Sequence, residues 1–117
     1  MSREKNQTRA VDDCINQMVQ RIVETAAPER IILFGSHANG TAKLDSDIDL
    51  MVIESASFGP RRSRRKEMAR LWMALKQFAL PKDILVYSHD EWEQWRNASN
   101  HIIALASREG RILYERA

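Results

Sequence analysis

Residues 45–54, Asp-Ser-Asp-Ile-Asp-Leu-Met-Val-Ile-Glu, constrain the fold more than any other stretch of this chain. The alternation from Asp47 to Glu54 predicts a strand. Alternate side chains of a strand share a face, so Ile48, Leu50 and Val52 line one side and Asp47, Asp49 and Met51 the other. Two carboxylates a few ångströms apart on one face repel each other unless a cation or a proton lies between them. A hard divalent cation relieves the repulsion, since Mg2+ is commonly held by one or two carboxylates together with substrate phosphates.

The flanking sequence predicts a mixed α/β (α+β) chain. Val11, Ile15, Met18, Val19, Ile22, Val23 and Ala26 recur at helical spacing, with Thr8 as N-cap and Pro28 as the stop. Cys14, beside that stripe, reads as a small half-buried residue. Arg30 to Phe34 is a short apolar strand ending at Gly35. Pro60 is placed to open a helix over Arg61 to Ala79, whose apolar stripe includes Trp72 and Phe78 as core residues. Asp83 to Tyr87 is a third strand. Ser88 to Glu91 is a capping box for a short helix through Trp95. Trp92 and Trp95 suit either core or an exposed partner patch. A helix over His101 to Arg108, stopped by Gly110, and a strand over Arg111 to Tyr114 complete the chain. The expected architecture is a small mixed β-sheet with helices packed mainly on one face. Residues 1–7 read as a flexible N-terminus and residues 8–117 as a single domain.

Chemistry concentrates between Phe34 and Leu50. Gly35 ends a strand and Ser36 starts a turn. Backbone amides at such a turn hold a phosphate, glycine lets it approach, and the Ser36 hydroxyl donates a further bond. A phosphate cradle thus precedes an acidic strand. Asp83 opens the next apolar strand; if the two strands are neighbours, Asp47, Asp49 and Asp83 converge. Gly35 and Gly40 have the glycine spacing of a P-loop, but Thr41-Ala42 stands where Lys-Ser/Thr belongs and the segment leads into a strand, so that motif is rejected.

Gly35-Ser36, Gly40 and Ser46-Asp47-Ile48-Asp49-Leu50 together resemble the signature of the DNA polymerase beta-like nucleotidyltransferases, in particular the minimal nucleotidyltransferase (MNT) domain of MNT/HEPN toxin–antitoxin pairs. The resemblance covers roughly residues 10–116 and includes Asp83 and the segment Ala106 to Glu115. It implies a nucleotidyltransferase-like fold and two-metal transfer of a nucleoside monophosphate, AMP from ATP, to a hydroxyl. By that resemblance Asp47, Asp49 and Asp83 are catalytic and hold two Mg2+ ions. Gly35, Ser36, Gly40 and Ser46 bind the nucleotide, with Gly35 and Ser36 on the β- and γ-phosphates. The implied acceptor is a HEPN-type toxin in a hetero-oligomer, with this chain as antitoxin. Many relatives carry Arg just before the second glycine, where this chain has Asn39; His37, two residues earlier, reads as a solvated loop histidine. The Asn39 departure motivates a second reading, a non-catalytic antitoxin that neutralises its partner by contact alone.

Charge supplies the remaining signal. The net charge is +2, yet residues 31–60 carry one basic and four acidic groups while residues 61–82 carry eight basic and one acidic. The run Arg61-Arg62-Ser63-Arg64-Arg65-Lys66 opposes the macrodipole of a helix starting there, so local stability does not account for it. It suits an anionic partner, the triphosphate, or RNA in a third reading as an RNA-binding module. No aromatic is interleaved in the run, so base stacking has no platform and no nucleic-acid partner is expected. No apolar run approaches the roughly 18–20 residues of a membrane span. Met1 to Asn16 has no signal-peptide core, and the single Cys14 forms no internal disulfide, so a cytoplasmic location is expected.

Overall fold

The computed structural model describes residues 3–43 and 45–116. Its order is α1 (Arg3–Ala26), β1 (Arg30–Phe34), α2 (Ser36–Asn39), β2 (Ile48–Glu54), α3 (Arg64–Ala74), β3 (Lys82–Ser88), α4 (His89–Trp95), α5 (Ile102–Glu109) and β4 (Arg111–Glu115). The four strands form one mixed sheet in the order β3-β2-β1-β4. β1 runs antiparallel to both β2 and β4, and β2 runs parallel to β3. The two central strands are the most apolar, as strands covered on both faces must be.

The pleat sorts side chains into two layers. Ile31 and Leu33 of β1, Ile48, Leu50 and Val52 of β2, and Ile84 and Val86 of β3 face Ile15, Met18, Val19 and Ile22 of α1 and Leu71 and Leu75 from α3 and its C-cap. On the other face Ile32, Phe34, Met51 and Ile53 pack against Trp92 of α4 and Ile103 and Ala106 of α5. The long helices thus share one face, and the two short helices cover only part of the other. Trp92 is core, while Trp95 is 37% exposed and stacks on His101 at 4.7 Å.

Several element ends differ from the sequence expectation for physical reasons. α1 starts at Arg3 rather than behind Thr8, because Arg, Glu, Lys and Gln extend a helix without an apolar signal. The first two of the expected flexible residues 1–7 lie outside the described residues. Ala27 closes α1 with φ 44°, its N–H donating to the Val23 carbonyl, and Pro28 prevents continuation.

α3 starts at Arg64, not Arg61. Gly59 and Arg62 exchange backbone hydrogen bonds in a tight turn, and the Ser63 hydroxyl caps the Lys66 N–H at 3.2 Å. The helix ends at Ala74, and Trp72 is not core: it is 43% exposed, with the Lys82 ammonium 4.9 Å from its ring centre. The capping box at Ser88 is present in full.

Candidate active site

β1 delivers the chain to Gly35, which has φ 73° and ψ −154°, a conformation that side chains disfavour strongly. Its carbonyl accepts the N–H groups of Ala38 (3.1 Å) and Asn39 (3.2 Å), which winds the single turn of α2. Gly40 closes that turn in the left-handed region at φ 80°. A Cβ added at Gly35 would collide with the Asp49 carboxylate, whereas one at Gly40 would meet nothing within 4 Å. Gly35 is therefore glycine for two reasons, backbone conformation and the close approach of Asp49. Gly40 is glycine for conformation alone.

The strand register assembles the acids. Phe34, Asp49 and Asp83 lie side by side across β1, β2 and β3. Partners in register share a face, and neighbouring strands are about 4.8 Å apart, so Asp49 and Asp83 project together from the sheet face that α4 and α5 cover only in part. Asp47 lies two residues ahead of Asp49; it and Asp83 are exposed, and Asp49 is half-buried. Burial, then the charges of Asp83 and Asp47, push the Asp49 carboxyl above its usual value, while His37 pulls the other way. Asp49 thus lies within electrostatic reach of two carboxylates and one imidazole.

The loop between Gly40 and Asp47 is tied to the turn. The His37 Nε2–H donates to the Ser46 carbonyl at 3.1 Å, which fixes the tautomer. The Ser46 hydroxyl oxygen accepts the Lys43 N–H at 2.8 Å, and the Ser46 N–H donates to the Lys43 carbonyl at 3.1 Å. Ser46 therefore shapes the loop that presents Asp47. Asn39 accepts the Thr41 N–H (3.1 Å) and hydroxyl (2.5 Å) on its Oδ1, so it stabilises the turn in the position where many relatives place a cation.

The structure sets Asp49 against Gly35 and in register with Asp83, leaves Asp47 within electrostatic reach of Asp49, and puts Ser36 at the start of the adjoining turn. Gly40 and Ser46 act at its far end. His37 is not a solvated loop histidine: it is half-buried and clips the turn to the loop. Only its position inside the glycine turn marks it in the sequence. Among the described residues, no three His, Cys, Asp or Glu side chains form a ready-made metal cage. A carboxylate pair open on one side suits a cation that keeps water and phosphate oxygens among its ligands.

The basic run is partly structural. Arg62 pairs with the buried Glu54, donates to the Ala56 carbonyl at 2.8 Å, and lies 4.2 Å from the centre of the Phe58 ring. Arg64 pairs with Glu91 and donates to the Val86 carbonyl at 2.8 Å. These contacts give part of the run a structural role through packing between elements, which helix propensity and the dipole do not supply. Arg62 finds its partners within eight residues and just ahead of α3, whereas Arg64 reaches across 22 to 27 residues to β3 and α4.

The family model for the nucleotidyltransferase domain matches residues 15–105. The chain belongs to that family. Among solved structures, this nucleotidyltransferase domain is similar to one from Sulfolobus solfataricus assigned as a nucleotidyltransferase, at 14% identity and TM-score 0.60, over 95% of this chain and 86% of that one. It is also similar to a toxin–antitoxin structure with AMP-PNP, at 20% identity and TM-score 0.52, over 86% of this chain and 73% of that one. A third likeness is to the toxin–antitoxin MntA-HpeT, in a mutant that replaces two aspartates spaced two apart by glutamates. It has 20% identity and TM-score 0.56, over 86% and 73%. At these identities the likenesses establish the fold alone, a mixed α/β nucleotidyltransferase fold. No curated protein matches the chain. Among the described residues, no helix is long and apolar enough to cross a membrane.

Proposed function

We propose that this nucleotidyltransferase domain is a cytoplasmic antitoxin that transfers AMP from ATP to a hydroxyl of a HEPN-type toxin. One observation carries the reading: Asp49 and Asp83 in register on adjacent strands, Asp47 ahead of them, and Gly35 packed against the Asp49 carboxylate. Asp47 and Asp49 would hold one Mg2+ on the triphosphate, and Asp83 with them a second. Bound there, the ions offset charge on the attacking and leaving oxygens of an in-line displacement. The chain's own groups set the geometry. The Gly35–Ser36 turn aims amides and a hydroxyl at the β- and γ-phosphates, and Gly40 and Ser46 hold the turn and the loop in place. The missing Cβ at Gly35 lets the Asp49 carboxylate approach that turn, so the phosphate and carboxylate sites adjoin. The two toxin–antitoxin neighbours, one described with AMP-PNP, support the choice of nucleotide and of partner.

The engagement of Asn39 with Thr41 favours a second reading, in which the partner is neutralised by contact alone. The test mixes the purified chain with labelled ATP, Mg2+ and the product of the adjacent gene. Label on the partner, lost with Asp47→Ala plus Asp49→Ala, is the expected result. No label, with neutralisation intact in that double variant, favours the contact reading instead.

A further inference from the structure

Arg62, Arg64 and Arg70 are engaged by Glu54, Glu91 and Glu67, but the rest of the basic run is not used by the fold. Among the described residues, Arg65, Lys66 and Lys76 make no ion pair, and all three are exposed. At about 100° per residue, Arg65, Ala69 and Trp72 fall along one line of α3, with Lys66 and Met73 beside it on the exposed side, away from the buried Glu67 and Leu71. Lys76 follows just after α3, its N–H donating to the Met73 carbonyl at 3.3 Å. Trp72 is 43% exposed and Met73 63%. The outward face of α3 is thus apolar at its centre, basic at both ends, and free of carboxylates, since Glu67 faces inward.

Trp72 is also held in place. Lys82 is buried, and its ammonium donates to the Phe78 carbonyl at 2.8 Å while lying 4.9 Å from the Trp72 ring centre. A large ring kept in one orientation and left open to solvent loses little side-chain entropy on docking. Tryptophan is enriched among residues that dominate interface energies. A cationic rim with no internal counter-charge steers and selects an acidic counterpart.

We infer that the outward face of α3 is the docking surface for a partner protein that presents an apolar pocket flanked by carboxylates. The inference rests on the reading of the chain as an antitoxin with a protein partner. It is separate from the aspartate site, which lies on the opposite face of the sheet from α3. RNA is disfavoured because one face of the Trp72 ring is taken by Lys82 and Met73 offers no stacking surface.

The test measures, by calorimetry, the affinity of the full chain for the purified product of the adjacent gene. Trp72→Ala with Met73→Ala, and Arg65→Glu with Lys66→Glu, should each weaken binding by about 30-fold or more, with melting temperatures within a few degrees of wild type. Binding as tight as wild type in both variants overturns the surface, whatever the transfer assay reads, and so does a wild-type chain that does not bind. Self-association of the chain that the Trp72 variant abolishes, or strongly salt-dependent binding of a labelled single-stranded RNA that the Arg65 variant abolishes, overturns the assignment of the partner. Failure of label transfer while the α3 variants still lose binding refutes catalysis and leaves the docking surface standing.

Discussion

Gly35→Ala probes the joint between the phosphate turn and the acidic strand. At φ 73° and ψ −154° the backbone lies in a region that residues with a Cβ avoid, at a cost of about 1–3 kcal/mol. The new Cβ also collides with the Asp49 Oδ2, while the Asp49 Cβ, 3.6 Å away, is at ordinary contact. A carboxylate is the mobile end of its side chain, so the collision is relieved by turning Asp49 aside. The predicted result is a stability loss of about 1–3 kcal/mol, or roughly 4–12 °C in Tm for a domain of this size, with a much larger loss of transfer. Gly40→Ala is the control. Its φ of 80° costs about 1 kcal/mol, and its Cβ has no neighbour, so Asp49 is undisturbed. Urea denaturation and transfer rates should be measured for both, and for Gly35→Ala in an Asp49→Ala background. The reasoning fails if Gly35→Ala and Gly40→Ala lose the same activity. In the Asp49→Ala background the Gly35→Ala stability loss should persist, since the backbone cost remains when the carboxylate is gone; a loss that vanishes there would contradict the backbone account.

Other perturbations test the rest of the structure. The Glu54 carboxyl, buried and beside Glu67, is pushed up from 4.5 to about 7, while Arg70 holds Glu67 low. A raised carboxyl contributes stability in full below its unfolded value and loses it as pH rises through its folded value. Glu54→Gln should therefore flatten the fall in unfolding free energy between pH 4.5 and about 7, as read by urea titrations across that window. Arg62→Ala strands Glu54 and should cost about 3 kcal/mol at pH 8, with a smaller cost at pH 5.5, where Glu54 is protonated. Ser88→Ala removes the cap of α4 and should cost about 1–2 kcal/mol, seen as earlier hydrogen exchange in His89–Trp95.

The sheet was legible because its strands carry strong local signals. Ile48, Leu50 and Val52 alternate with Asp49 and Met51 on the two faces of β2, as the pattern predicts, while Asp47 falls just ahead of the strand rather than within it. Local turn chemistry also identified the Ser88 capping box and the stop at Gly110. Misreadings arose where distant residues decide. A proline at position 60 suits a helix start, but the Gly59–Arg62 turn and the Ser63 cap move that start to Arg64. Trp72 has the spacing of a core residue, yet it stands 43% exposed with the buried Lys82, ten positions on, against its ring. The partners of Arg62 and Arg64 lie on β2, β3 and α4, so their charge read as unexplained. In the site, the Asp-x-Asp strand and the glycine turn were visible from spacing. The meeting of Asp49 with Asp83 depends on the parallel register of β2 and β3, and the His37 clip on a loop geometry that no local pattern encodes.

The claim that the three aspartates and the Gly35 turn form one metal-dependent nucleotide site is tested most directly by ATP binding measured calorimetrically with and without Mg2+. Wild type should bind ATP with Mg2+ and lose most of that affinity when the metal is chelated. Asp47→Ala with Asp49→Ala should show no Mg2+-dependent increment at all. Equal ATP affinity in wild type and the double variant, or affinity indifferent to Mg2+, would contradict the account.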